Sequence, residues 1–119
     1  MIQETKPTGP VERLLVKSEG RVLLVKVGDI DWVEAADNYV MLHLTTGRLM
    51  LRETMGAIET RLGPQQFVRV NRSAIVQLDQ IKEIQPAQHG DYTVVLRDGT
   101  KLPLSRSLRG QLDKFATGA

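Results

Sequence analysis

No cysteine occurs in this 119-residue chain, which excludes disulfide scaffolds, thiolate metal sites and cysteine nucleophiles together. Histidine is nearly as scarce. His43 and His89 stand far apart in different local patterns, and no acidic residues gather around either at ligand spacing, so no metal or other cofactor is called for. Aromatic residues are few, with one Trp, two Tyr and two Phe, and that leaves little surface for stacking the bases of a single strand. No apolar run exceeds five residues, far short of the roughly 20 that span a bilayer as a helix. The opening "MIQETKPTGP" lacks the apolar stretch of a signal peptide. These absences predict a cytoplasmic protein with no membrane contact. No glycine-rich phosphate loop is present either, and a net charge of +2 rules out a polycationic tail.

What is there is enough for one domain. At this length, with 41% hydrophobic residues, the chain can bury a real core. Residues 1–65 hold eight Lys/Arg against nine Asp/Glu, whereas residues 66–119 hold eight against five. The excess of basic charge lies in the second half, a tilt that a solvated surface alone could also produce. Pro7, Gly9 and Pro10 make residues 1–10 a linker or flexible arm, with the domain proper spanning 11–119.

Turn signals then punctuate short apolar runs: "SEG" at 18–20, "TTG" at 45–47, "QHGD" at 88–91 and "RDG" at 97–99. That spacing predicts an antiparallel, mainly β domain, with Asp98-Gly99 the strongest hairpin signal. In "YVMLHL", Val40, Leu42 and Leu44 share one face, while Tyr39, Met41 and His43 share the other; "RLMLR" alternates likewise. "RVLLVKV" at 21–27 is apolar on both faces and predicts a strand covered on both sides. "YTVVLR" and "KLPLS" flank Asp98-Gly99 as hairpin arms, with Pro103 restricted to an edge or a strand end. "TMGAIETRLG" places Met55, Ile58 and Leu62 on one helical face before Gly63-Pro64 stops it. A second short helical turn is expected in "SRSLRGQLDKF", from a Ser105 or Ser107 cap along Leu108, Leu112 and Phe115.

Enzymatic chemistry needs a constellation, and only single residues are supplied. Ser73 and Ser105 have no motif around them. Asp29, Asp31, Glu34 and Asp37 resemble a carboxylate cluster but lack the glycine-framed loop of a calcium site, and a solvated edge accounts for them. The chain is therefore not expected to be an enzyme. "FVRVNRSAIV" at 67–76 is more informative, because Arg72 and Ser73 break the period-two alternation that Arg69 and Asn71 keep. The break predicts a turn at Asn71–Ser73 that holds hydrogen-bonding side chains outward. Arg69, Arg72, Arg106, Arg109, Lys101 and Lys114 supply cations for phosphates. Asn38, Asn71, Arg72 and Arg106 have the geometry to read base edges in pairs of hydrogen bonds. Each lies beside a predicted turn or element end, as a β domain without a recognition helix requires. Double-stranded DNA is favoured over RNA by the lack of aromatics.

Three stretches in fixed order, "GDIDWVEAADNYVMLHLTTGR", "FVRVNRSAIVQLDQIKEI" and "VVLRDGTKLPLSRSLRGQL", resemble the LytTR DNA-binding domain of bacterial response regulators, over residues 12–116. The resemblance implies an elongated arrangement of small antiparallel β-sheets with one short central helix. It implies sequence-specific binding for transcriptional regulation, with loops entering successive major grooves at paired direct repeats. Carried over position by position, it assigns base contacts to Asn38, with Tyr39 beside it, to Asn71 and Arg72, and to Arg106. It places Ser73, Ser105 and Arg109 as supporting or phosphate contacts, and Lys101 joins them as a phosphate cation on its charge alone. Implied partners are promoter DNA, a second copy on that DNA, and an upstream receiver domain in a longer two-component protein. The competing reading is a β-rich protein-interaction module whose arginines are merely solvated.

Overall fold

A computed structural model of the chain describes residues 12–106. The first element pair follows from Glu19 and Gly20, both at positive φ (53° and 78°), a left-handed two-residue turn whose twist suits a tight hairpin. It joins β1 (Arg13–Ser18) to β2 (Arg21–Lys26) in antiparallel register. Leu14, Val16 and Val25 point into the core. On the opposite face, Leu15, Val22 and Leu24 are 62%, 61% and 64% exposed. The expectation that residues 21–27 are covered on both sides is therefore corrected: this sheet has only two strands, and it packs through one face.

Five strands form the central sheet in the order β5-β4-β3-β7-β6. They are β3 (Ile30–Ala36), β4 (Tyr39–Leu44), β5 (Gly47–Leu51), β6 (Phe67–Asn71) and β7 (Ala74–Gln77), antiparallel throughout. Because β5 and β6 lie on opposite edges, the chain must cross a face of the sheet between them, and α1 (Met55–Leu62) makes that crossing. Thr54 caps its start, its Oγ1 accepting from the Ala57 N–H at 3.0 Å, and Gly63 at φ 78° ends it, the left-handed exit that glycine allows. A third sheet, β8 (Ile81–Pro86), β9 (Tyr92–Leu96) and β10 (Lys101–Leu104), is ordered β10-β9-β8. Pro103 sits on its edge strand, where the missing N–H disrupts no ladder.

Period-two alternation divides the core into two layers. Val33, Phe67 and Ile75 face the first hairpin and Met55, Ile58 and Leu62 of α1. Their neighbours Trp32, Val68 and Val76 face the third sheet, against Val94, Leu96 and Leu104. The central sheet thus separates two small cores in a body measuring 49 × 32 × 23 Å, mainly β and elongated as expected. Among the described residues Gln77 is the buried polar exception. Its Nε2 donates to the carbonyls of Ile30 at 2.7 Å and Gly28 at 3.2 Å, so its burial leaves no unmet donor. The expected second helical turn, from Ser105 or Ser107, lies almost wholly outside the described residues.

Candidate nucleic-acid interface

Antiparallel pairing brings several turns to one end of the molecule. The β3–β4 turn is Asp37-Asn38, with Asp37 at φ 58°, a left-handed value that aspartate tolerates better than most residues. The β6–β7 turn is Arg72-Ser73, tightened by a register shift between Arg69 and Asn71. Since β7 pairs with β3 through Glu34 and Ala74, both turns emerge side by side, and the Ala35 N–H donates to the Ser73 carbonyl at 2.9 Å. The end of β10 joins them, where the Ser105 N–H donates to the Val70 carbonyl at 2.7 Å. Loop 87–91 closes the group. Arg106 donates from Nε to Asp91 Oδ1 at 2.8 Å and from Nη2 to the His89 carbonyl at 2.7 Å.

Asn71 has both ends of its amide engaged. Nδ2 donates to the Pro103 carbonyl at 2.7 Å, and Oδ1 accepts from the Ser73 N–H at 2.7 Å. It therefore ties the Arg72 turn to β10, and in this conformation its amide is not presented to an outside ligand. Asn71→Ala is expected to lower stability by about 1 kcal/mol, the net scale of exposed hydrogen bonds lost to water, seen as a fall of several degrees in the thermal midpoint. An unchanged midpoint would mean that water replaces both bonds without cost.

Asn38, Arg72 and Arg106 are exposed, as is Tyr39 at 42%. Two further arginines join this end, Arg69 from the expected phosphate cations and Arg52 from outside them. Arg52 follows β5 and, with Asp37, Asn38, Tyr39 and Glu53, lines a 420 Å³ groove beside the first turn. Arg69 reaches the turn from within, Nη2 donating to the Arg72 carbonyl at 2.8 Å and Nη1 to Glu59 Oε1 on α1 at 3.1 Å. Strand alternation could have flagged Arg52 as outward-facing, but its place beside Asn38 depends on β4–β5 register. Among the described residues the ion pairs are His43–Glu34, Arg61–Glu53, Arg69–Glu59 and Arg106–Asp91. Arg72 and Arg52 enter none of them, so their charge is available to an anion.

Lys101 is not brought to this cluster. It pairs with Val95 at the start of β10, while Leu104 at the other end pairs with Tyr92, which puts Lys101 near the Asp98-Gly99 turn. Arg109 lies outside the described residues. The far end carries Asp29, Asp31 and Asp98, about 20 Å along β3 from the reading turns at about 3.3 Å per residue. Burial, then the charges of Asp98 and Asp29, push the Asp31 carboxyl above its ordinary range. Asp98 is shifted the other way, chiefly by the Thr100 N–H that donates to its Oδ1 at 2.9 Å.

A raised carboxylate pKa means that the ionised form is disfavoured on folding. Asp31 thus costs stability above its folded pKa, and the cost disappears as pH falls through that value. Asp31→Asn should therefore stabilise the protein slightly at pH 7, solvent screening keeping the gain small, with the advantage closing in acid. Equal gains at pH 7 and pH 3 in urea titrations would reject that account.

The model of the family described as "LytTr DNA-binding domain" matches residues 20–116. The chain belongs to the LytTR family of DNA-binding domains. LytTR is a family of DNA-binding domains of transcriptional regulators rather than of enzymes. The sensory transduction protein LytT of Bacillus cereus is 30% identical over 96% of this chain and 46% of its own length. The transcriptional regulatory protein LytR of Staphylococcus aureus is 28% identical over 81% of this chain and 39% of its own. The chain spans about half the length of these relatives. A solved structure, the LytTr DNA-binding domain of a putative methyl-accepting/DNA response regulator from Bacillus cereus, aligns with TM-score 0.77 at 21% identity. It covers 90% of this chain and 98% of that one, and so shows the shared LytTR fold. Among the described residues no helix is long and apolar enough to cross a membrane.

Proposed function

We propose that residues 11–119 form a sequence-specific reader of double-stranded DNA that acts in transcriptional regulation in the bacterial cytoplasm, with residues 1–10 as the linker. The observation that carries this reading is the convergence of the Asn38, Arg72 and Arg106 turns at one end, held by hydrogen bonds between elements. Arg72 reads base edges, most simply guanine through paired hydrogen bonds, and Arg106 does so on exchanging Asp91 and the His89 carbonyl for the base. Asn38 supports them from the neighbouring turn, and Tyr39, Ser73, Ser105, Arg52 and Arg109 serve the backbone and fix register. Asn71 positions the Arg72 turn instead of reading a base, and Lys101 takes no part.

The turns enter successive major grooves, and two copies occupy paired direct repeats. Relatives about twice as long support a second module in the parent protein, a receiver domain that controls this one. The test is fluorescence anisotropy of the chain against a library-selected duplex and a random duplex across salt concentrations. Tight binding to the selected site, falling steeply with salt, together with weak random binding is expected. Absence of both enrichment and salt-dependent binding would favour the protein-interaction module, for which the exposed Leu15, Val22 and Leu24 face is the natural surface.

A further inference from the structure

Arg69 looks like an ordinary outward residue in the strand pattern, yet its surroundings are unusual. It shares the α1 face of the central sheet with Phe67, and Ile75 is its cross-strand partner. Its side chain is only 25% exposed. One guanidinium arm holds Glu59 on the helix, the other holds the Arg72 carbonyl, and the Nε between them is shielded from water with no partner. Leaving a charged donor unmet costs stability. A side chain chosen for stability alone would avoid that cost, and such costs concentrate where function sets the geometry.

Three restraints act on the Arg72 turn. Asn71 Oδ1 holds the Ser73 N–H, and the Ala35 N–H holds the Ser73 carbonyl. Among the described residues Arg69 is what holds the carbonyl of Arg72, and with Asn71 on the Ser73 N–H it fixes the one peptide plane between Arg72 and Ser73 from both sides. We infer that Arg69, braced by Glu59, is a positioning residue that preorganises Arg72 for base reading and couples helix α1 to DNA specificity. This rests on the reading of Arg72 given above. Fixing the turn before binding spares the ordering cost at the moment of contact. The benefit falls on base readout, where paired hydrogen bonds demand geometry, and hardly at all on phosphate contacts, which tolerate displacement. Lysine cannot replace it, because a single ammonium lacks the rigid fork that spans two acceptors.

The experiment compares Arg69→Lys, Arg69→Ala and Glu59→Gln with the parent chain by anisotropy on the selected and random duplexes across salt, with thermal melts to verify folding. Arg69→Lys should bind the selected duplex about tenfold more weakly, and random DNA within about twofold of the parent, with an unchanged salt slope, as expected for lost geometry at constant charge. Glu59→Gln, at a half-exposed helix position, should move the selected-to-random ratio about threefold in the same direction. Equal losses on both duplexes for Arg69→Ala, with the salt slope reduced by about one, would make Arg69 a phosphate contact and overturn the inference. So would a parent-like ratio in both Arg69→Lys and Glu59→Gln. If the parent chain itself fails to discriminate, the proposed function falls and this inference with it. If it discriminates and the variants match it, only the positioning role is lost.

Discussion

Arg72→Ala is expected to weaken binding to a selected duplex by about 1 to 3 kcal/mol, roughly five- to 150-fold, the range for loss of one paired base contact. Random duplex should be affected far less. Arg72 stands at the tip of a two-residue turn between β6 and β7, its side chain exposed and outside every ion pair among the described residues. Its backbone is already restrained by Arg69, and the flanking residues by Asn71 and Ala35. Truncation therefore removes a ligand-facing group and leaves the turn intact, so the thermal midpoint should stay within a degree or two of the parent. Arg72→Lys separates charge from geometry. It retains the cation for a phosphate but not the planar fork for a guanine edge, and should keep nonspecific affinity while losing most discrimination. Parallel losses on selected and random DNA for Arg72→Ala would assign the residue to the phosphate backbone instead.

The largest stability effect is expected at Trp32, which no functional reading singles out. Its indole is 8% exposed and joins Val68, Val70 and Val76 of the central sheet with Val94, Leu96 and Leu104 from the third sheet and its end. His43, its cross-strand neighbour, stacks on it with ring centroids 4.1 Å apart and planes within 1°, and His43 Nε2 lies 2.8 Å from Glu34 Oε1. Trp32→Ala should cost about 3–5 kcal/mol, as large aromatic deletions in cores do. That is a large share of the roughly 5–15 kcal/mol that stabilises a domain, and the urea midpoint should drop by about 2 M for a slope near 2 kcal/mol/M. Leu24→Ser on the exposed hairpin face is the control and should leave the midpoint nearly unchanged. A Trp32→Ala loss below about 1 kcal/mol, the scale of surface substitutions, would mean that the third sheet does not depend on this contact. Because Trp32 is the only tryptophan, parent unfolding followed by its fluorescence reports directly on that layer.

Local signals made much of the architecture legible. Glu19-Gly20, Thr45-Thr46, His89-Gly90 and Asp98-Gly99 each mark a connection between antiparallel strands, because backbone preferences at turns involve only neighbouring residues. Helix α1 was readable for the same reason: Met55, Ile58 and Leu62 recur at helical spacing, and Gly63 stops it. The interruption at Asn71–Ser73 marked the β6–β7 turn, since a polar residue on the wrong phase of a strand has nowhere to go but a bend.

Coverage and partnership were decided elsewhere. Val22 and Leu24 form an apolar face, but whether another layer covers it depends on how many strands and sheets assemble around β2, which no local period encodes. Asn71 announced a hydrogen-bonding role through its residue type, yet its partner is the Pro103 carbonyl, 32 positions away. Lys101 and Arg106 lie five residues apart in sequence, and β10 carries them to opposite ends of a sheet because an extended strand advances about 3.3 Å per residue. Arg69 shows the division most plainly. Alternation assigned it a face, but only the crossing of α1 above that face supplied Glu59, and only the bulge before Asn71 turned the Arg72 carbonyl within its reach. Sequence by itself determines this protein's periods, turns and inventory of charged groups, because these depend on residues next to one another along the chain. The tertiary structure decides which groups are covered, paired or left to meet an anion, because burial and hydrogen bonding depend on residues next to one another in space.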